Sequence, residues 1–241
     1  MTNAIILAAG KGVRMLPLTE NTPKPLLSVL GERIIERQIR FLKEAGIENI
    51  TIVTGYLNEK FLYLKDKYCN IDIVVNDLYE SSNNFYSLFL VRDKLENTWI
   101  IEGDIFMVNN LFGSHDKSVY YTSPKPIVQY EWYFQYNENQ RIQSIHVADR
   151  QMFPNLFIED YYINMGVSYW CKQSCATIGE LFESLYNDVD RFNLYKNSYW
   201  DKLIVDYLDR FDVYIHIVNE SEWYEIDSVD DLNKMAVMFK L

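Results

Sequence analysis

The sequence predicts an α/β fold, in which a doubly wound, mainly parallel, Rossmann-like sheet carries helices on both faces and an antiparallel portion is added to it. Two observations support this prediction. In the first half of the chain, short β-branched runs alternate with amphipathic helical segments, which is typical of parallel βα units. From about Ser118, aromatic residues alternate with polar ones, which is typical of antiparallel strands. We expect a single domain over residues 1–241, with a core in residues 1–117 and the added portion in 118–241.

The elements of the first half follow from its apolar patterns. Residues 3–8 form a β-branched run that ends in small residues, so we expect a buried strand there. Residues 32–45 place Ile34, Ile35, Ile39 and Leu42 on one helical face. The same reasoning predicts strands at 49–54, 71–76 and 98–102, and helices at 58–67 and 87–95. Because the carboxyl ends of parallel strands lie along one edge, the loops that follow these strands should converge on one cleft.

The second half is predicted from its aromatic and polar alternation and its later helical stretches. Strands are expected at residues 118–122, 130–136, 142–147, 161–170 and 213–218, and helices at 172–187, at 200–208 and from Val229. No internal repeat or linker divides the chain.

Charge and composition exclude several classes of partner. The 34 acidic and 23 basic residues leave a net charge of −11, which disfavours a nucleic-acid backbone or an anionic membrane as the main partner. No window approaches the ~20 apolar residues that a membrane span needs, and the first apolar run is too short for a signal peptide. We therefore expect a soluble cytoplasmic protein with no nucleic acid and no membrane partner. Its three cysteines should be reduced thiols without a zinc site.

A glycine-rich loop follows the first strand, at Gly10-Lys11-Gly12-Val13-Arg14. A dinucleotide fingerprint would need a third glycine where Arg14 stands, and the spacing does not fit a P-loop either. The glycines would still let backbone N–H groups approach phosphate oxygens, with Lys11, Arg14 and Lys24 as nearby cations. An ordinary glycine turn with solvated basic side chains is the alternative interpretation.

A longer pattern extends the loop: Leu7-Ala8-Ala9-Gly10, Gly12, Arg14, Pro17, Thr19 and Pro23-Lys24-Pro25-Leu26. It resembles the opening of the nucleotidylyltransferase family that activates sugar phosphates and small phospho-alcohols. The resemblance implies that Arg14 binds the β and γ phosphates of a nucleoside triphosphate and that Lys24 lies near the attacked α-phosphate. It also implies a nucleotide contact for the segment made of Leu7, Ala8, Ala9, Gly10, Lys11 and Gly12.

Two aspartates are candidate metal ligands. Asp104 follows a predicted core strand, and Mg²⁺ prefers one or two carboxylates together with phosphate oxygens; a turn residue is the alternative. Asp227 precedes the last helix, where its spacing by itself favours a helix N-cap. The family resemblance implies instead that Asp104 and Asp227 hold the metal together, with assistance from Glu225.

Three segments combine aromatic and acidic residues: Tyr130-Glu131-Trp132-Tyr133, Tyr199-Trp200-Asp201 and Glu222-Trp223-Tyr224-Glu225. Aromatic faces surrounded by acids suit a quaternary ammonium through cation–π attraction, and so point to a choline-like substrate. The alternative is that these aromatic residues simply pack a core.

Six segments together, namely Asn21–Lys24, Gly55–Leu57, Asn83–Leu88, Glu131–Trp132, Tyr199–Asp201 and Tyr224–Ser228, resemble the bacterial CTP:phosphocholine cytidylyltransferases of the LicC type. This resemblance covers nearly the whole chain and implies CTP and phosphocholine as substrates. It also implies that residues 1–117 bind the nucleotide and that residues 118–241 cover and bind the acceptor. It is weakest over residues 149–160. It adds Gly55, Tyr56, Asn83, Asn84 and Ser87 to the nucleotide site, although an N-cap role is at least as well supported for the last three. It implies a choline pocket made of Glu131, Trp132, Tyr199, Trp200, Asp201, Tyr224 and Glu225.

Three alternatives stay open at this point. The first is an enzyme acting on phosphoethanolamine or 2-aminoethylphosphonate, whose primary ammonium could use the same acids. The second acts on a sugar 1-phosphate, which would leave the acid–aromatic segments unexplained. The third is a nucleotide-sensing module, which would be expected to have lost Lys24, Asp104 or Asp227; all three are present. The pattern implies no oligomeric state.

Overall fold

A nine-stranded sheet runs through this computed structural model, which describes residues 1–124, 132–147 and 162–239. The strands of the described residues are β1 (Thr2–Ala8), β2 (Ser28–Val29), β3 (Glu32–Arg33), β4 (Asn49–Thr54), β5 (Ile71–Val75), β6 (Asn97–Glu102), β7 (Ile105–Met107), β8 (Ser118–Ser123), β9 (Trp132–Tyr136), β10 (Ile142–Val147), β11 (Tyr162–Trp170), β12 (Val213–Ile217) and β13 (Trp223–Glu225). The α-helices are α1 (Ile34–Glu44), α2 (Tyr63–Lys67), α3 (Asn84–Leu90), α4 (Lys172–Tyr186), α5 (Val189–Lys196), α6 (Asp201–Asp206) and α7 (Val229–Met238).

The sheet has a parallel half and an antiparallel half. Its main path is β10-β9-β11-β6-β1-β4-β5, in which β6, β1, β4 and β5 are mutually parallel. Strand β11 pairs antiparallel with β6 and with β8, and β12 pairs with β8 in parallel. The predicted fold class is therefore confirmed, and the antiparallel strands continue the same sheet beyond β6.

Helices cover both faces of the sheet. Along β1, Ala4, Ile6 and Ala8 pack into the core under α1 and α2, whereas Ile5 and Leu7 pack into the core under α3, α4 and α6. This division follows from the period of two along a strand, which points successive side chains to opposite faces.

Several elements differ from the prediction. The expected helix at 58–67 is a 3-10 turn, Asn58–Phe61, followed by the short α2. Helix α3 begins earlier than expected, at Asn84, and a 3-10 turn replaces its last part. Helix α5 was not predicted, because its polar sequence buries only Tyr195 and shows no apolar stripe. Strands β7 and β13 were also not predicted, because three residues are too few for a periodic pattern.

Within the described ranges, none of the helices has the length and apolar character that crossing a bilayer would require.

Candidate functional site

The glycine loop after β1 folds back onto the segment that carries Lys24. Gly12 has a φ of 62°, and a Cβ atom there would lie 3.1 Å from the Lys24 Cβ. The Thr19 hydroxyl donates to the Gly12 carbonyl at 2.8 Å. A glycine is needed because the left-handed conformation is strained for other residues and the space beside Lys24 is already filled.

The loop after β4 supports the glycine loop from behind. The backbone N–H of Tyr56 donates to the Ala9 carbonyl at 3.1 Å, and a Cβ atom on Gly55 would lie 2.8 Å from that carbonyl oxygen. The Tyr56 hydroxyl donates to the carbonyls of Thr19 and Glu20. Gly55 and Tyr56 therefore support the glycine loop, but neither residue lines the cavity in front of it.

A cavity of about 220 Å³ opens in front of the glycine loop. Ten residues predicted for the nucleotide or catalytic site line it: Leu7, Ala8, Ala9, Gly10, Gly12, Arg14, Lys24, Asn83, Asn84 and Ser87. Lys11 does not; its ammonium lies 3.8 Å from Glu80 and its side chain is half exposed. The lining also includes residues that the sequence analysis missed, among them Asn76, Tyr79, Ser82 and Glu102. Of these, Asn76 and Glu102 stand at strand ends whose loops were expected to converge here.

The first turn of α3 supplies one wall of this cavity. The Asn83 side chain accepts a hydrogen bond from the Asn84 N–H at 2.7 Å, so Asn83 is the N-cap of α3 as well as a lining residue. Ser87 is buried, and its hydroxyl accepts from the Asn76 amide at 3.0 Å. Asn84 instead donates to the Glu102 carboxylate at 2.7 Å. The N-cap interpretation thus holds for Asn83 alone.

Lys24 joins the two aspartates that stand far apart in the sequence. Its ammonium donates to Asp104 Oδ2 at 2.7 Å and to Asp227 Oδ1, and Arg14 Nη1 lies 2.7 Å from Asp227 Oδ2. Lys24 is only 8% exposed. Burial acts to lower the pKa of Lys24, but the two carboxylates outweigh it and raise this pKa above its ordinary value, so the ammonium stays charged.

Pairing of β7 with β13 brings the C-terminal acids to Asp104. Ile105 lies opposite Glu225, and the Ile226 N–H donates to the Asp104 carbonyl at 3.2 Å. Among the residues that the structure describes, Asp104, Glu225 and Asp227 can each present a carboxylate oxygen within 4.8 Å of the others. Three carboxylate oxygens in one place are hard donors of the kind that Mg²⁺ prefers.

The N-cap of α7 is Ser228, not Asp227. The Ser228 side chain accepts a hydrogen bond from the Asp231 N–H, and the Asp231 carboxylate accepts one from the Ser228 N–H. The two bonds together form a capping box. The N-cap interpretation of Asp227 is therefore wrong, and its carboxylate faces Lys24 and Arg14 instead.

A second and larger cavity, of about 560 Å³, adjoins the first. Of the predicted choline pocket, Trp132, Tyr199, Asp201 and Glu225 line it. The rings of Trp132 and Tyr199 lie 6.2 Å apart at an angle of 77°, which is an edge-to-face arrangement. The remaining lining residues are Arg14, Glu102, Asp104, Ile105, Val147, Asn164, Met165, Gly166 and Asp227.

Two aromatic residues predicted for the choline pocket do not line this cavity. Trp200 is 3% exposed and packs edge-on against Trp170 in the core under α3, α4 and α6. Tyr224 packs into a small apolar cluster near α7, because alternate residues of β13 point away from the cavity. Glu131 and the 149–160 segment lie outside the described residues.

Five acids line the second cavity, and two of them, Asp201 and Glu102, have raised pKa values. Burial raises the pKa of Asp201 from 3.8 to about 6. Burial, together with the charges of Asp104, Asp201 and Glu225, also raises the pKa of Glu102 well above its ordinary value. A cationic ligand in this cavity would stabilise the ionised forms of these carboxylates, so its binding is favourable.

Four residues line both cavities: Arg14, Glu102, Asp104 and Tyr199. The two spaces therefore meet beside the Lys24–Asp104–Asp227 cluster. A ligand in each would present its reactive groups at this junction.

Comparison with known proteins covers both halves of the chain. A family model described as nucleotidyl transferase matches residues 3–109. A choline-phosphate cytidylyltransferase of Streptococcus pneumoniae is 38% identical over 238 residues, which are 98% of this chain and 98% of that protein. A 2-aminoethylphosphonate cytidylyltransferase of Lancefieldella rimae is 33% identical over 235 residues, which are 96% of this chain and 90% of that protein.

A solved structure shows the same arrangement of the chain. The structure of the CTP:phosphocholine cytidylyltransferase LicC from Streptococcus pneumoniae matches with a TM-score of 0.88 at 37% sequence identity and covers 99% of each chain. The likeness in fold thus extends over the antiparallel half as well as the parallel core.

Proposed function

Because the chain belongs to the LicC-type CTP:phosphocholine cytidylyltransferases within the nucleotidyl transferase family, we propose that it transfers CMP from CTP to phosphocholine. The products are CDP-choline and pyrophosphate. Membership in this family makes the chain an enzyme, which sets aside the nucleotide-sensing alternative.

The observation that carries this proposal is the meeting of two chemically different cavities at Asp104. One is bordered by a glycine loop and by cations, as a triphosphate requires. The other is bordered by aromatic rings and acids, as a quaternary ammonium requires. In-line transfer needs the acceptor phosphate and the α-phosphate to face each other, and the junction lets them do so.

We assign roles to two basic residues of the smaller cavity, which we call the nucleotide cavity. Lys24, nearly buried and held between two carboxylates, is the cation for the α-phosphate under attack. Arg14 has a side chain that is 70% exposed and is the cation for the departing β and γ phosphates. The glycine loop contributes backbone N–H groups to the same phosphates.

Mg²⁺ suits the carboxylate cluster of Asp104, Glu225 and Asp227, and these residues would hold it. When bound, Mg²⁺ withdraws charge from the phosphate oxygens that it contacts. Without it, Lys24 balances part of the charge of Asp104 and Asp227.

The transfer itself needs no general base, because the attacking phosphate oxygen of phosphocholine is already anionic. That oxygen forms a bond to the α-phosphorus of CTP, and the bond from the α-phosphorus to the bridging oxygen of pyrophosphate breaks. Trp132 and Tyr199 would place the trimethylammonium group, and Asp201 and Glu225 would balance its charge.

Two nearer rivals share this geometry. A primary ammonium, as in phosphoethanolamine or 2-aminoethylphosphonate, could donate hydrogen bonds to the same acids, and one relative of this chain acts on 2-aminoethylphosphonate by name. Phosphocholine is favoured because the edge-to-face pair of Trp132 and Tyr199 offers apolar and π surface, which three methyl groups fill and a hydrated ammonium does not. A sugar 1-phosphate carries no cationic group that could pair with Asp201 and Glu225.

The test is a matrix of substrates with pyrophosphate release as the readout. Each of the four nucleoside triphosphates is incubated with Mg²⁺ and with phosphocholine, phosphoethanolamine, 2-aminoethylphosphonate or glucose 1-phosphate. We expect the highest kcat/KM with CTP and phosphocholine. Release only with a sugar phosphate, or a preference for a primary amine, would reject phosphocholine as the acceptor.

A further inference from the structure

The segment that carries Tyr199 and Asp201 is attached to the first turn of α3. The Asn83 N–H donates to the Lys196 carbonyl at 2.9 Å, and the Phe85 N–H donates to the Ser198 carbonyl at 3.3 Å. Two orphan donors of the α3 N-terminus are thus satisfied by the chain just before Tyr199. A wall of the nucleotide cavity therefore also supports the acceptor cavity.

Asn84 connects the same segment to the end of β6. Its Nδ2 donates to Glu102 Oε1 at 2.7 Å, and its Oδ1 accepts from the Trp200 N–H at 2.7 Å. The residue bonded to Oδ1 stands between Tyr199 and Asp201. One amide, with one donor and one acceptor in use, links the acceptor residues to the strand that leads to Asp104.

Gly166 of β11 lies close to the Glu102 side chain. Gly166 has a φ of 74°, and a Cβ atom there would lie 2.9 Å from the Glu102 Cγ. Glycine therefore lets β11 approach the carboxylate closely. Held by Asn84 and bordered by Gly166, Glu102 occupies a defined place at the junction of the cavities.

We propose that Asn84 is a positioning residue of the acceptor pocket, which sets Tyr199 and Asp201 relative to Asp104 through its bonds to Glu102 and the Trp200 N–H. This role is additional to the nucleotide contact that the sequence implied for Asn84, and it rests on the proposed function for the identity of the acceptor. Loss of the link should impair acceptor binding while leaving the glycine loop and its phosphate contacts unchanged.

The test exchanges donor and acceptor across the Asn84–Glu102 bond. Asn84→Asp replaces the Nδ2 donor with an oxygen, so the bond that Asn84 donates to Glu102 is lost, and the KM for phosphocholine should rise about tenfold. An acid at the first position of a helix is favourable for the helix itself, so α3 should stay folded. Adding Glu102→Gln restores an amide-to-carboxylate bond in the reverse direction and should recover most of the loss.

The readouts separate positioning from a merely structural defect. KM for phosphocholine and KM for CTP are measured for the wild type, both single variants and the double variant, because a ratio of KM values does not depend on the folded fraction. Asn139→Asp, in an exposed turn, is the matched control and should leave both values unchanged. Binding of phosphocholine, measured by calorimetry, gives the same cycle a result that is independent of turnover.

The inference is overturned if the double variant is no better than Asn84→Asp, or if Asn84→Asp raises the KM for CTP as much as that for phosphocholine. A preference of the wild type for another acceptor would instead reject the proposed substrate. The same four proteins are then measured with that preferred acceptor. Failure of the proposed substrate can thus be distinguished from failure of the proposed role of Asn84.

Discussion

Replacement of Lys24 by alanine should separate the chemistry from binding. The ammonium is nearly buried and contacts both Asp104 and Asp227, next to the junction of the two cavities. Removing a preorganised charge that faces the transition state typically lowers kcat by ~10²–10³, which is about 3–4 kcal/mol of activation free energy. We therefore expect a loss of this size in kcat, with a much smaller change in the KM for phosphocholine.

The same change should reduce stability only moderately. Breaking a fully buried ion pair costs about 3–5 kcal/mol, because a charge is left without a partner. Here both carboxylates keep 21% of their side-chain surface exposed, and Arg14 remains beside Asp227. We expect a decrease of about 1–3 kcal/mol in the free energy of unfolding, which Mg²⁺ should partly restore by binding the two carboxylates.

The assay is single-turnover formation of CDP-choline at saturating CTP, with thermal unfolding measured on the same samples. Lys11→Ala is the matched control, because Lys11 belongs to the same loop but is half exposed and pairs only loosely with Glu80. Near-normal turnover of Lys24→Ala would refute the assignment. Full recovery at high Mg²⁺ would likewise show that Lys24 serves only to balance the carboxylates.

Three further substitutions test the acceptor cavity and the core beside it. Because burial raises the pKa of Asp201 to about 6, the folded state holds this proton more tightly than the unfolded state does, and stability is lost as the pH rises from about 4 to about 6. Asp201→Asn should therefore increase the free energy of unfolding at pH 8 by up to about 3 kcal/mol, and with it the melting temperature, but should change neither at pH 4. The same variant should raise the KM for phosphocholine. Equal changes in melting temperature at both pH values would contradict this reasoning. Trp132→Ala should raise the KM for phosphocholine roughly 2–30-fold, as the loss of a cation–π contact predicts, with little change in melting temperature. Trp200→Ala should instead lower the free energy of unfolding by about 3–5 kcal/mol, because it leaves a cavity in the core. If Trp132→Ala proved the destabilising variant and Trp200→Ala the one with a raised KM, the roles assigned to the two indoles would be wrong.

Local patterns predicted the parallel core well. Strands β1, β4, β5 and β6 each combine a continuous apolar run with a following loop, so their own residues mark both their type and their ends. The segment from Leu7 to Lys24 was identifiable for a related reason, since its glycines and basic residues are close neighbours in the sequence.

Short and nonlocal features could not be predicted in the same way. The pairing of β7 with β13 involves only three residues on each strand, but it brings Glu225 and Asp227 to Asp104. Glu102 carried no recognisable motif, because one acid at the end of an apolar strand is not a pattern. Its importance became visible only when the lining of both cavities was known.

Local sequence patterns predicted the α/β class, which is confirmed, and a phosphate-binding role for the first loop, which stays a prediction; they also identified the residue types available to a metal and a cationic acceptor. These properties depend on neighbours in the chain, whose periodicity and chemistry can be read directly. Only the three-dimensional structure showed which of several similar residues line a cavity and which lie in the core. Trp132 and Trp200 both stand beside acids, but strand pairing and helix packing turn one towards the cavity and the other into the core. Asp227 is likewise a partner of Lys24 and not a helix cap, because Ser228 caps α7 and the chain just after β13 brings the carboxylate to Lys24, 203 residues away in the sequence.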